Sequence, residues 1–129
     1  MNVNSYLAKT YGPQPCWELV ADVCASELGA VAVEYRAVNR SIREMAGAFR
    51  IALHKDPHGF SQVREPADLC IVLLGKNQRI GIHHCGIYFA GKVLHAMPGA
   101  TLYEEIASVQ DRFQLVEFWA KSPTQGSPA

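Results

Sequence analysis

The sequence predicts an α+β fold in which N-terminal helices pack on a central antiparallel β-sheet. An amphipathic stripe near the start is helical in period, and the second half alternates or runs apolar between turn signals. Helical patterns precede strand patterns instead of interleaving with them, which separates α+β from parallel α/β architectures. The chain has 129 residues, 49% of them hydrophobic, enough for one core and too few for two ordinary domains. A single domain is therefore expected over residues 1–121. Residues 122–129 (Ser-Pro-Thr-Gln-Gly-Ser-Pro-Ala) have the composition of a loose tail.

Each element has a local reason. Pro15 suits the first turn of a helix, where its missing N–H has no partner to lose. From there Cys16, Leu19, Val20, Val23, Cys24 and Leu28 form the i, i+3, i+4, i+7 stripe, and Gly29 supplies a stop. An extended piece is expected over residues 31–38. A second helix follows, with Ser41 to Glu44 as its capping box and Ile42, Met45, Ala46, Phe49 and Leu53 on one face. Asp56-Pro57-His58-Gly59 ends it, and loop is expected up to about Pro66. Residues 69–74 form a short apolar run suited to a central strand. A turn around Gly75-Lys76-Asn77 leads to a strand over residues 80–89, then Ala90-Gly91 turns the chain into residues 92–97. Pro98-Gly99 breaks that strand, residues 102–109 are ambiguous and can form a short helix, and residues 113–119 make the last strand.

Composition narrows function. Lys plus Arg number 12 and Asp plus Glu number 12, so the net charge is zero. A nucleic-acid binder needs a basic surface to displace phosphate counterions, and that class is not expected. Residues 1–20 hold no apolar core of a secretory signal, and no apolar run approaches the ~18 residues that span a bilayer. Cytoplasmic synthesis without a signal peptide and no membrane partner are expected. The four cysteines, Cys16, Cys24, Cys70 and Cys85, form no C-x-x-C pair, and Cys24 and Cys70 read as buried small hydrophobes.

Chemistry concentrates at two places. Cys16 sits in the first turn of the predicted helix, where peptide dipoles and unbonded N–H groups stabilise a thiolate. The same stripe also explains Cys16 as a plain core residue, so a nucleophile there requires a base. The strand Ile82-His83-His84-Cys85-Gly86-Ile87-Tyr88-Phe89 offers one. His83 and His84 point to opposite faces, and His84 shares its face with Gly86 and Tyr88. A two-residue Ala90-Gly91 turn sets Phe89 opposite Lys92 and Gly86 opposite His95. His84 and His95 then lie as diagonal neighbours on one face, with the sulfur of Cys16 packed against it. One imidazole can accept a thiol proton while the other fixes its tautomer. The competing reading is a pair of satisfied strand histidines. A zinc site would need His84, His95 and a distant third ligand such as Cys16, a spacing the sequence does not support, and no metal or cofactor is expected.

Three segments together resemble a known family. Tyr11-Gly12-Pro13-Gln14-Pro15-Cys16-Trp17-Glu18-Leu19-Val20 resembles the nucleophile helix of the NlpC-type cell-wall cysteine peptidases, a papain-like group, in the variant found among phage tail assembly proteins. Asp68-Leu69 and the apolar run after it resemble that family's Asp-Leu-Val segment. His84-Cys85-Gly86-Ile87-Tyr88 resembles its His-Val-Gly-Ile-Tyr signature, and Val93-Leu94-His95-Ala96 the segment bearing the third polar residue. The resemblance spans residues 11–97 in the family's order. It implies a papain-like fold with Cys16 as nucleophile, His84 as base and His95 as orienting residue, and it places Tyr11 and Trp17 at the substrate or oxyanion site. The implied activity is hydrolysis of peptide or amide bonds in peptidoglycan stem peptides, in association with phage tail proteins or a tail particle. A tail assembly or binding protein that keeps the fold without catalysis is the alternative. Departures are Pro15 where the family has Asp, Cys85 where it has Val, and the extra His83.

Overall fold

A computed structural model describes residues 1–29 and 60–121. The expected extended piece at 31–38, the helix at 41–53 and the tail at 122–129 lie outside the described residues. The architecture is α+β: helices at the N-terminus and a six-stranded antiparallel sheet.

A short helix α1, Val3–Leu7, opens the chain, capped by the Asn2 side chain accepting from the Asn4 N–H at 3.1 Å. Helix α2, Pro15–Leu28, follows, with Gln14 as N-cap and Pro15 in the first turn. Its approach is held by Glu18, whose carboxylate accepts from the Gly12 N–H at 2.9 Å and the Gln14 N–H at 2.8 Å. Gly29 stops the helix in the left-handed region (φ 61°), as its position in the sequence predicts. The predicted stripe is the buried face, with Leu19, Val20, Val23 and Cys24 at 0% exposure. Each Leu or Val so buried contributes about 1.5–3 kcal/mol of transfer free energy.

The strands are β1 (Phe60–Val63), β2 (Ile71–Gly75), β3 (Ile82–Phe89), β4 (Lys92–Met97), β5 (Ala100–Glu105) and β6 (Leu115–Lys121), with helix α3 (Ile106–Arg112) between the last two. Their order across the sheet is β1-β6-β2-β3-β4-β5. The β3–β4 register matches the sequence expectation, with Phe89 opposite Lys92 and Ile87 opposite Leu94. Ala90 and Gly91 both have positive φ, 53° and 84°, the signature of a type I′ hairpin turn. Asp68 buttresses that turn by accepting from the Ala90 N–H at 2.9 Å.

Several boundaries differ from expectation. Residues 60–63, read as loop, pair with the C-terminal half of β6 from Phe60↔Lys121 to Val63↔Phe118. That partner is nearly sixty residues away and leaves no local signal. The turn after β2 reaches Gly81 (φ 86°), which donates to the Asn77 carbonyl at 2.9 Å, so β3 starts at Ile82 and not at residue 80. Residues 102–109, ambiguous in the sequence, divide between β5 and α3. Pro98-Gly99, with Gly99 at φ 82°, does not simply break β4. It turns the chain into a hairpin that sets Met97 opposite Ala100 and His95 opposite Leu102.

The sheet separates two apolar clusters. On one side Ile71, Leu73, Cys85, Ile87, Leu94 and Ala96 pack with α1 and α2 residues. On the other, Val72, Leu74 and Val93 pack with Val109, Phe113 and Phe118. Among the described residues, no helix is long and apolar enough to cross a membrane.

Candidate active site

Helix α2 packs on β3 and β4, bringing its N-terminal turn to the strands that carry the histidines. Cys16, His84 and His95 are all buried, at 4%, 6% and 1% exposure. One detail departs from the sequence expectation. Alternation along β3 and β4 puts Cys85, Ile87, Leu94 and Ala96 on the α2 side, and so turns His84 and His95 toward the other side. There the His84 ring stacks on Phe113, with centroids 5.8 Å apart and planes 19° from parallel. The Cys16 sulfur still lies close enough to both neighbours on β3, the thiol and backbone N–H of Cys85 and the ring of His84, for each to act on its acidity.

From His84 the polar line continues across the same face of the sheet. His84 Nε2 lies 2.8 Å from His95 Nδ1, and His95 Nε2 lies 2.5 Å from a Glu104 carboxylate oxygen. Arg112, in the last turn of α3, grips both oxygens of that carboxylate at 3.1 and 2.7 Å. The far end dictates the protonation pattern of the rest. Hydrogen bonds from Arg112, joined by one from His95, hold the Glu104 carboxyl below the usual range, so it is ionised and can only accept. The His95 proton therefore sits on Nε2, and Nδ1 is left as an acceptor. His84 must then donate from Nε2, which leaves the unprotonated Nδ1 of His84 to face Cys16. An imidazole nitrogen with its lone pair toward a thiol is the arrangement a general base requires.

Burial, followed by the charge of His84, lowers the His95 pKa, although Glu104 pulls it the other way. The Cys16 thiol is held well below its ordinary value. The largest cause is the hydrogen bond from the Cys85 thiol; the His84 hydrogen bond and charge add to it and burial opposes it. Cys85 is pushed in the opposite direction, first by burial and then by Cys16. The remaining thiols are inert by comparison, since burial raises Cys24 to about 11 and raises Cys70 as well.

Gly86 makes the approach of the histidines possible. A Cβ there would lie 2.7 Å from the Leu94 carbonyl oxygen and 2.9 Å from the His95 Cβ, closer than real Cβ atoms come. His83 sits where the β2–β3 register slips between Leu74 and Gly75. Its Nε2 accepts from the Lys76 N–H at 3.1 Å, so this third imidazole ties down the β2–β3 turn. Because of the irregularity its ring also approaches Phe113, at 6.0 Å, and does not simply point away from His84.

The Tyr11 hydroxyl is engaged away from the histidines. The Tyr11 hydroxyl donates to Asp22 at 2.6 Å, and Asp22 is also paired with Lys9 at 2.8 Å. This group fastens the approach segment to α2. The Trp17 side chain is buried at 8% in the cluster between α2 and the sheet. Sequence reasoning missed Glu104, Arg112 and Phe113. The ambiguity of residues 102–109 hid the first of these, whereas a Pro-Gly turn treated as a hairpin would have set Leu102 and Glu104 on the face of His95. No local signal marks the other two. Among the described residues no group of three or more His, Cys, Asp or Glu side chains is arranged to hold a metal ion. Compared with known proteins, the chain matches no family model, no curated protein and no solved structure.

Proposed function

We propose that this protein is a papain-like cysteine hydrolase that cleaves peptide or amide bonds in peptidoglycan stem peptides, acting with phage tail proteins. The observation that carries the chemistry is the hydrogen-bonded line from His84 through His95 to Glu104, with the Cys16 sulfur close enough to the His84 end for that ring to lower the thiol's pKa. The substrate class and the tail association rest on the sequence resemblance alone.

In this reading His84 Nδ1 takes the Cys16 proton and the thiolate attacks the amide carbonyl carbon. The Cys16 N–H, in the first turn of α2 where no helical acceptor exists, faces the developing oxyanion. As the tetrahedral adduct collapses, His84 gives its proton to the departing amine. Water then attacks the thioester with His84 as base, releasing the acid and restoring the thiol. His95 and Glu104 hold His84 in one tautomer. The bond expected to break is the one joining the side-chain carboxyl of D-glutamate to a diamino acid.

The test is mass spectrometry of fragments released from purified peptidoglycan. Wild type should create new amino ends, Cys16→Ala none and His84→Ala almost none. His95→Ala should retain measurable turnover, since positioning the base typically accounts for about 10²–10⁴-fold. New amino ends released by Cys16→Ala would overturn the mechanism. Failure of wild type to cleave any peptidoglycan would leave the alternative, a tail assembly protein that keeps the fold.

A further inference from the structure

Hydrolysis gives no role to a second thiol beside the nucleophile. Yet Cys85, fully buried on β3, sets its thiol close enough to the Cys16 sulfur for each to shift the acidity of the other. The two side chains meet in one apolar cluster, where α2 packs on β3. Cys24 belongs to the same cluster but makes no thiol hydrogen bond to Cys16, and Cys70 lies outside that cluster.

We infer that Cys85 is a resolving cysteine, so that Cys16 and Cys85 together form a peroxide-reactive site that closes reversibly into a disulfide. The Cys16 thiolate attacks one oxygen of hydrogen peroxide. The O–O bond breaks, Cys16 becomes a sulfenic acid, and the departing hydroxide takes up a proton from the His84 imidazolium to leave as water. The Cys85 thiol then loses its proton as its sulfur attacks the Cys16 sulfur. The S–S bond forms, the S–O bond breaks, and hydroxide combines with that proton as a second water. Two thiols are oxidised and one peroxide is reduced. The disulfide blocks the nucleophile but protects it from the sulfinic state, which thiols do not reverse. The inference rests on a reactive Cys16 thiolate and not on the identity of any amide substrate.

The experiment treats the reduced, full-length protein with a small excess of hydrogen peroxide and reads three quantities. These are free thiols after denaturation, the disulfide map of the unreduced digest, and iodoacetamide labelling of Cys16 before and after dithiothreitol. Wild type should lose two of its four thiols. The linked peptide should join Cys16 to Cys85, and dithiothreitol should restore labelling. Cys85→Val should instead carry two added oxygens on Cys16 at the same dose, with labelling lost beyond recovery. Over-oxidation of wild-type Cys16 without a disulfide, or a bridge to Cys24 or Cys70, would overturn the inference. Because the wild-type map decides the matter, it stands even if Cys85→Val does not fold. A protein that forms the bridge but cleaves no peptidoglycan would sink the hydrolase reading and leave this one intact.

Discussion

Replacing Glu104 with glutamine tests whether the far end of the polar line governs its near end. The change keeps the shape of the side chain but removes the charge that holds the His95 proton on Nε2. Glu104 is 25% exposed and His95 only 1%, so solvent screens their contact little. A hydrogen bond to a charged partner is worth about 1.5–3 kcal/mol. Glutamine leaves a neutral bond worth about 0.5–1.5 kcal/mol, so at about 1.4 kcal/mol per pH unit the lost charge should raise the midpoint of Cys16 ionisation by up to about one unit. The sign follows from the ion pair. Without the carboxylate, positive charge on the imidazoles is less stabilised, so the proton stays on sulfur to higher pH. The direct effect of removing a negative charge from the neighbourhood of a thiolate has the opposite sign, but it acts across two imidazole rings. The assay is the rate of iodoacetamide labelling at Cys16 against pH, with modified peptides identified by mass. Wild type should label at Cys16 near pH 6, while Cys24, Cys70 and Cys85, all shifted upward, stay silent. In Glu104→Gln, labelling at that pH should slow by up to about ten-fold. An unchanged or lowered midpoint in a folded variant would refute the argument that Glu104 acts on sulfur through the two histidines.

Other perturbations probe the framework. Gly86→Ala places a methyl group against the Leu94 carbonyl and the His95 Cβ. It should cost about 1–3 kcal/mol in urea denaturation, the usual range for overpacking, and should also slow Cys16 labelling at pH 6. Ala90→Asn should stabilise the protein by about 0.5–1 kcal/mol, because asparagine tolerates the φ of 53° that alanine resists; a lower melting temperature would contradict this. Stability should fall with acidification from about pH 7 to pH 5. His83 and His95 have lowered pKa values in the folded state, so the unfolded chain takes up protons first as pH drops below about 6.5. Urea midpoints that are equal at pH 7.5 and 5.5 would show that neither ring is held neutral by the fold.

How much of this was legible depends on the range of the interaction. The α2 helix was legible because Pro15, the apolar stripe and Gly29 act over one or two turns. The β3–β4 hairpin was legible because a two-residue turn sets its own register, and that register placed His84 and His95 together. The β1 strand was not legible, since its four residues acquire a sheet only by meeting β6 across the chain. Glu104 was hidden by an ambiguous element, although the Pro98-Gly99 turn beside it carried the clue.

The order of elements, the pairing of two histidines on one sheet face and the cysteine at the head of a helix are written in local periodicity and turn chemistry. The sequence by itself could therefore nominate Cys16, His84 and His95. Only the packed molecule decides which ring nitrogen faces the sulfur, because that depends on a carboxylate from β5 and a guanidinium from α3. Only packing sets the Cys85 thiol against Cys16, because the contact joins a helix end and a strand nearly seventy residues apart. Hydrogen-bond direction and thiol acidity are set by the few atoms that surround a group, and the fold alone brings those atoms together.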